Sequence, residues 1–195
     1  MRGFEFARKM INGEPFVENN EEVRAYEKAE IPEYQTKRSA GADFFAAEDV
    51  TIPSIWKNIP YLLMIFGPFN KHLDYVHIKD KADQKKGFEP TLVHTGIKAS
   101  MEEDEVLYLY NRSSNPKKLG LILANGVGVI DADYYNNPDN DGEIMFAFYN
   151  ILPWNVTIKQ GERIGQGVFA KYLRPSVGLR IKDAERGGGF GSTNK

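Results

Sequence analysis

The stretch GEIMFAFYNI, residues 142–151, decides the fold class of this chain. Apolar or aromatic side chains occupy six successive positions in it: Ile144, Met145, Phe146, Ala147, Phe148 and Tyr149. Successive side chains of a β-strand point to opposite faces, so a strand with this composition is covered on both sides. We therefore expect a central strand of a β-sandwich or β-barrel here.

Similar short segments surround this strand. They are rich in branched or aromatic residues and are separated by clusters of Gly, Pro, Asn and Asp, as in all-β domains. These segments are residues 106–110, 120–124, 155–158 and 165–173. Helix signals are weak, and one short surface helix is expected over residues 21–30. The sequence therefore predicts a mostly β chain.

The 195 residues suit a single domain, residues 1–195, with two additions. Residues 54–88 combine the apolar run YLLMIFGPF with a polar stretch between two strand-like segments, which is typical of an insertion. The Gly-rich residues 184–195 are predicted to form a flexible C-terminal arm.

The composition excludes several function classes. With no Cys and three His that lack metal-site spacing, a zinc site held by the protein is not expected. The apolar run of residues 61–69 is far shorter than the roughly 20 residues that cross a bilayer, and residues 1–16 lack a signal-peptide core. We therefore expect a soluble cytoplasmic protein with no membrane partner.

Charge and known nucleotide motifs restrict the ligand further. Neither a P-loop nor a Rossmann glycine motif is present, and no basic helix or stripe suggests a nucleic-acid polymer as partner. Residues 14–33 are rich in Glu, whereas residues 159–195 are rich in Lys and Arg. This asymmetry permits a small anionic ligand near the C-terminus, although both segments also suit solvated surfaces.

Two stretches carry side chains that suit phosphate chemistry. In SAGADFFAAEDVTI, residues 39–52, Asp43 lies at the start of a predicted strand. The small residues before it allow another group to approach the backbone closely. In NRSSNPKKLG, residues 111–120, the guanidinium of Arg112 precedes the hydroxyls of Ser113 and Ser114, a donor set that matches phosphate oxygens. Each stretch alone also fits an ordinary strand edge or a capped turn.

Two further stretches follow. ANGVGVIDADYY, residues 124–135, places Asp131 and Asp133 on one face if the strand stays extended, or at a hairpin corner if it turns. One of these carboxylates, held beside a polyanion, could orient and deprotonate a water molecule. GERIGQG, residues 161–167, is a glycine turn that leads into a strand.

In chain order, these four stretches and the tail RGGGFGST, residues 186–193, resemble the five motifs of the trimeric dUTPase family. The resemblance covers most of the chain from about residue 31 onward. It implies a β-barrel (β-clip) subunit in a homotrimer, with active sites shared between subunits and a mobile C-terminal arm. It also implies the hydrolysis of dUTP to dUMP and pyrophosphate with Mg²⁺.

The resemblance also implies a role for each matching position. Asp131 would activate the attacking water, Tyr134 would lie beneath the deoxyribose and exclude a 2′-hydroxyl, and Asp43 would hold Mg²⁺ through water. The uracil edge is expected at Asn125 and at the backbone of Gly128 and Ile130. The remaining substrate contacts are expected from Arg112, Ser113, Ser114, Gln166, Arg186, Phe190, Gly191, Ser192 and Thr193.

The chain departs from the family pattern at three places, and two alternatives stay open. Arg186 and Phe190 are one residue closer than usual, residues 135–143 replace a short RGE, and residues 54–88 have no counterpart. A dCTP deaminase, alone or bifunctional, would need a catalytic Glu, for which Glu143 is the candidate. A regulatory protein switched by nucleotide would use the apolar insertion as a partner surface.

Overall fold

The computed structural model describes residues 1–58 and 89–177, and these residues form short antiparallel strands. In chain order the strands are β1 (Gly3–Phe6), β2 (Met10–Ile11), β3 (Glu14–Pro15), β4 (Val17–Glu18), β5 (Glu21–Glu22), β6 (Ala42–Phe45), β7 (Val50–Ile52), β8 (Thr91–His94), β9 (Ile97–Ser100), β10 (Glu105–Asn111), β11 (Leu121–Leu123), β12 (Gly128–Asp131), β13 (Met145–Asn150), β14 (Val156–Ile158) and β15 (Arg163–Lys171). Helical structure in the described ranges is limited to single turns at Ile55–Asn58, Asn115–Leu119 and Ala132–Tyr134. The predicted mostly β fold class is confirmed.

Two sheets position the candidate functional residues. A four-stranded sheet has the order β12–β10–β15–β6, and a three-stranded sheet has the order β11–β13–β8. All of their neighbouring strands pair antiparallel. Four smaller two-stranded sheets pair β1 with β9, β7 with β14, β2 with β3 and β4 with β5.

The core lies where the two larger sheets meet. The ring of Phe44 on β6 packs against the ring of Phe146 on β13, with centroids 5.6 Å apart. A Cβ atom at Gly165 on β15 would lie 2.0 Å from the Phe146 ring, so only glycine permits this approach. Phe146, Ala147 and Phe148 are all buried, which confirms that β13 is covered on both faces.

The strands predicted at residues 106–110, 120–124, 142–151, 155–158 and 165–173 are confirmed as β10, β11, β13, β14 and β15. The helix predicted over residues 21–30 is wrong. Residues 21–25 are extended, because Lys9 N donates to Val23 O at 2.8 Å and Ala25 N donates to Ala7 O at 2.8 Å, and a turn follows in which Ala29 N donates to Tyr26 O at 3.3 Å. Pairing with the N-terminal segment thus replaces the internal hydrogen bonds of a short helix.

The two predicted additions lie mostly outside the described residues. Of the insertion at residues 54–88, the structure describes the start, where Ser54 bridges to Asn150 and a helical turn follows at Ile55–Asn58. Residues 59–88 and the arm at residues 184–195 lie outside the described ranges. Within those ranges, no helix has the length and apolar character needed to cross a membrane.

Candidate active site

Asp43 and Gln166 meet on neighbouring strands of the four-stranded sheet. They are paired in the register of β6 and β15, and Gln166 Nε2 donates to Asp43 Oδ1 at 2.9 Å. Arg163 Nη1, at the start of β15, donates to Asp43 Oδ2 at 3.1 Å. Asp43 is 2% exposed, so its carboxylate is buried. Each of its oxygens accepts a hydrogen bond, one from the Gln166 amide and one from the Arg163 guanidinium.

The loop that carries Arg112, Ser113 and Ser114 is fixed against the start of β15. Arg112 Nη1 donates to the carbonyl oxygen of Arg163 at 3.1 Å. The buried Asn115 closes the loop, since its backbone N donates to Arg112 O at 3.1 Å and its Nδ2 donates to Ile164 O at 2.8 Å. Ser113 is exposed and Ser114 is half-buried. The structure therefore brings the second and fourth motifs together.

A second group of predicted residues lies on β12 and in the turn after it. β12 is at one end of the four-stranded sheet, and its register places Gly128 opposite Leu109 and Asp131 opposite Val106. The strand ends at the exposed Asp131, and Tyr134 lies in the helical turn that follows. Asp133 lies in the same helical turn, so Asp131 and Asp133 do not share one face of a continuous strand.

The strands on the two sides of Asn125, β11 and β12, do not pair with each other. β11 pairs with β13, whereas β12 pairs with β10, so the exposed turn at Asn125 connects two different sheets. Burial explains this arrangement, because Leu121 and Leu123 are buried in the core on the side of β13.

The end of β12 borders a surface cleft of about 990 Å³. Its lining includes the acidic side chains of Glu103, Asp104 and Asp131, together with Arg174, which follows β15 on the way to the C-terminal arm. Small-molecule sites usually have volumes of roughly 300–1,000 Å³. The cleft is therefore large enough for a nucleotide, and its lining is mainly acidic.

Within the chain, Asp131 at the end of β12 lies far from the group that contains Gln166 and Arg112. On β10, Asp131 lies opposite Val106, whereas Gln166 lies opposite Tyr110 from the other side of the strand. Four residues along a strand span about 13 Å, and two strand spacings add roughly 10 Å across the sheet. Asp131 and Gln166 of one chain therefore cannot contact the same phosphate group.

Residues 135–143 form a folded connection behind Tyr134, whose ring is 6% exposed. Asn140 Nδ2 donates to the Tyr134 hydroxyl at 2.8 Å, and that hydroxyl donates to Glu143 O at 3.2 Å. The sequence NNPDNDG, residues 136–142, did not predict these contacts. No local signal could have found them, since Asn, Asp and Gly are the usual residues of exposed turns.

A buried carboxylate anchors this connection to the N-terminal part of the chain. Asp141 is 0% exposed, and its oxygens accept hydrogen bonds from Arg8 Nη2 at 2.6 Å and from Lys98 Nζ at 2.9 Å. Burial by itself would raise the pKa of Asp141, but the hydrogen bonds from Arg8 and Lys98 outweigh it and hold the pKa below its ordinary value.

Glu143 makes a second anchor at the end of the same connection. Its Oε2 lies 3.0 Å from Nδ1 of His94, and its Oε1 accepts the backbone N–H of Gly96 at 2.9 Å. The hydrogen bond with Glu143 raises the pKa of His94, and partial burial opposes this effect.

The pH dependence of stability should reveal the pair of His94 and Glu143. Because the folded-state pKa of His94 is raised, the pair stabilises the fold fully below the ordinary histidine pKa of about 6.5. This stabilisation is lost as the pH rises through the folded-state pKa. We expect His94→Gln to reduce the difference in the free energy of unfolding between pH 6 and pH 8, measured in urea at one protein concentration. An unchanged difference would assign the titration to another group.

The residues predicted for the fifth motif lie outside the described ranges. They are Arg186, Phe190, Gly191, Ser192 and Thr193. Their contacts with phosphate and uracil stay predictions.

These observations define the class of protein: a mostly β chain in which an acid ends an outer strand of one sheet and a loop of phosphate-type donors contacts the start of another strand of that sheet. A sequence model of the dUTPase family matches residues 76–194. The chain therefore belongs to the dUTPase family.

Individual relatives agree with this assignment. The chain is 41% identical over 175 residues to a deoxyuridine 5′-triphosphate nucleotidohydrolase of Lactococcus lactis subsp. lactis (strain IL1403), a match that covers 89% of this chain and 95% of the relative. The crystal structure of dUTPase from Streptococcus mutans aligns with a TM-score of 0.60 at 33% identity, covering 89% of this chain and 98% of that one. A mutant dUTPase from phage phi11 of S. aureus, reported with a structural Mg(II) ion, shares the fold at 19% identity and a TM-score of 0.54, covering 84% of this chain and 94% of its own.

Proposed function

We propose that this protein hydrolyses dUTP to dUMP and pyrophosphate. One observation supports the proposal most strongly: a chain of the dUTPase family ends its edge strand β12 at an exposed carboxylate, Asp131, which lines a cleft of nucleotide size. The homologue from Lactococcus lactis, similar over nearly the whole chain, carries the name of this activity.

Asp131 is the proposed general base. An exposed carboxylate at the mouth of the cleft can accept a hydrogen bond from a water molecule and take its proton as the water attacks the α-phosphorus. The new bond joins the water oxygen to the α-phosphorus, and the bond from that phosphorus to the bridging oxygen breaks. The electron pair leaves with pyrophosphate. The protein therefore has to place one water in line and neutralise the negative charge of the phosphates.

The separation of the two residue groups favours a shared site in a homotrimer. The resemblance to the family implies that Asp131 activates the water that attacks the α-phosphorus and that Gln166 contacts the α-phosphate, yet within one chain the two residues are too far apart to reach it together. The cleft at Asp131 is also mainly acidic, so a triphosphate bound there needs cations from another surface. Arg112 of a neighbouring subunit, in the group that contains Gln166, would supply such a charge.

A magnesium ion at this site would be held mainly by the substrate, because Asp43 offers it few free ligand positions. No group of three or more His, Asp or Glu side chains in residues 1–58 and 89–177 is placed to hold a metal. Asp43 is a buried carboxylate whose two oxygens already accept hydrogen bonds from Gln166 and Arg163. Mg²⁺ commonly keeps several waters and binds substrate phosphates directly. Asp43 would therefore contact the ion through water, and the bound ion would offset phosphate charge.

Substrate selection is assigned to β12 and to the turn after it. β12 is an outer strand of the four-stranded sheet, so one side of its backbone is not used by that sheet and can pair with the edge of uracil. The resemblance to the family assigns this contact to Gly128 and Ile130. Asn125, exposed in the preceding turn, would complete this recognition. Tyr134 would pack beneath the sugar and exclude a 2′-hydroxyl.

The release of pyrophosphate from a panel of nucleotides tests the proposal. We expect release from dUTP in the presence of Mg²⁺, with kcat/KM on the order of 100-fold lower for dCTP, dTTP and UTP, since a site shaped around one base and one sugar rejects misfits by steric clash and unpaired polar groups. The same panel with EDTA measures the need for magnesium. No release from dUTP would contradict the proposal.

The dCTP deaminase alternative is not favoured. Its candidate acid, Glu143, is buried and pairs with His94 and with the backbone of Gly96, so it supports the structure rather than facing the cleft at Asp131.

The cytoplasmic location stays a prediction. The same holds for a regulatory role of residues 54–88, most of which lie outside the described ranges.

A further inference from the structure

Tyr134 is held at both ends of its side chain. Its backbone lies in the helical turn Ala132–Tyr134, and its hydroxyl receives a hydrogen bond from Asn140 Nδ2 at 2.8 Å. The hydroxyl in turn donates to the carbonyl oxygen of Glu143 at 3.2 Å. The position of the ring is therefore set by residues of the connection that follows it.

We propose that Asn140 is a positioning residue for Tyr134 and, through it, sets the selectivity for deoxyribose over ribose. This inference rests on the proposed function, in which the Tyr134 ring packs beneath the sugar. Asn140 itself does not contact the substrate in this proposal. It acts by fixing the ring from behind.

Asn140 is suited to this role because its other polar groups are already fixed. Its Oδ1 accepts the backbone N–H of Gly142 at 3.2 Å, and its carbonyl oxygen accepts the backbone N–H of Glu143 at 3.1 Å. These contacts orient the side-chain amide, so that Nδ2 is directed at the Tyr134 hydroxyl. The neighbouring Asp141 ties the same connection to Arg8 and Lys98.

Exclusion of a single hydroxyl group depends on where the ring lies to within a fraction of an ångström. A ring that is fixed at its hydroxyl cannot move away from the sugar, whereas a ring that loses this contact can shift and admit a 2′-hydroxyl. When two substrates differ by one small group, the shape of the site alone changes the ratio of their kcat/KM values by roughly 10- to 200-fold. Loss of one positioning hydrogen bond, worth about a factor of five, should therefore remove a measurable part of this discrimination.

The test compares kcat/KM for dUTP and UTP in the full-length protein. We expect Asn140→Ala to lower the ratio of the two values about 5-fold. Tyr134→Phe keeps the ring but removes the hydroxyl and with it the contacts to Asn140 and Glu143, so it should lower the ratio by at least the same factor. The double variant should show no further loss relative to Tyr134→Phe, because that change already removes the hydroxyl to which Asn140 donates. Asp139→Asn, an exposed change in the same connection, serves as the matched control and should keep the wild-type ratio.

A purely structural role for Asn140 gives a different result. General loosening of the fold would lower the activity on both substrates equally and leave the ratio unchanged, and that result would overturn the inference while the proposed function stands. Additive effects in the double variant would also overturn it. If Asn140→Ala does not fold, the ratio for Tyr134→Phe still decides, since an unchanged ratio there refutes the role of the hydroxyl. A wild-type protein without activity on dUTP would instead defeat the proposed function.

Discussion

Asp131→Asn is expected to lower kcat for dUTP by about 10³-fold, the middle of the range for loss of a general base. Asn has nearly the same shape as Asp but cannot take a proton from water at neutral pH. Binding of a non-hydrolysable dUTP analogue should persist, because the phosphate contacts are assigned to other residues, including Arg112 and Gln166. The measurement pairs steady-state hydrolysis with calorimetric binding of the analogue.

Asp133→Asn is the matched control for this experiment. Asp133 lies two residues further on, lines the same cleft and carries the same charge, so its replacement changes the electrostatics of the cleft without removing the proposed base. We expect kcat within about threefold of wild type, since only one carboxylate acts as the base. Retained turnover in Asp131→Asn, or an equal loss in both variants, would reject the role given to Asp131.

Local patterns were sufficient to predict the five strands β10, β11, β13, β14 and β15. β13 and β15 follow from short runs of branched and aromatic residues with turn residues on either side, which depend only on neighbours in the chain. The helix expected over residues 21–30 failed because the competing interaction is distant in sequence. Val23 and Ala25 pair with the segment around Ala7, and no local signal reports that pairing.

The sequence predicted the residues of the candidate site but not which of them lie close together. The order of the motifs indicated Asp131, Arg112 and Gln166, but a linear motif does not say which of these residues one subunit brings together. The strand register answers that question, because it places Asp131 and Gln166 at different levels of β10 and on opposite sides of it.

Burial of polar groups was the least predictable feature. Asp141 has the sequence context of an exposed turn, yet it is fully buried because its partners lie elsewhere in the chain. Arg8 is 133 residues away and Lys98 is 43 residues away. Burial of Asp43 likewise depends on a pairing of β6 with β15 that its own motif does not encode.

Asp141→Asn is expected to cause the largest loss of stability among the changes considered for this protein. It leaves the buried Lys98 without its anion and the half-buried Arg8 with only the exposed Glu22, and breaking a buried ion pair in this way costs about 3 kcal/mol. The backbone is not disturbed, since Asp141 has a φ of 58° and Asn tolerates this left-handed conformation at least as well as Asp. Unfolding in urea at pH 7 and at a fixed protein concentration measures the loss.

Two controls separate the buried charge from other causes. Asp49→Asn breaks the exposed pair with Lys159 and should change stability little, because solvent screens that pair. Adding Lys98→Met to Asp141→Asn removes one of the stranded cations and should recover part of the lost stability. A double variant that is less stable than Asp141→Asn alone would contradict this explanation.

The loss of stability at low pH is an independent measure of the interaction of Asp141 with Arg8 and Lys98. The pKa of Asp141 is lowered in the folded state, so its contribution is present above the ordinary Asp pKa of about 3.9 and is lost as the pH falls through the folded-state pKa. Wild-type protein should therefore lose more stability between pH 5 and pH 2 than Asp141→Asn does, and the two unfolding free energies should converge at the acid end. Parallel pH profiles would mean that Asp141 does not carry its charge in the folded protein. In that case the N-terminal segment would be held to the connection behind Tyr134 by hydrogen bonds alone.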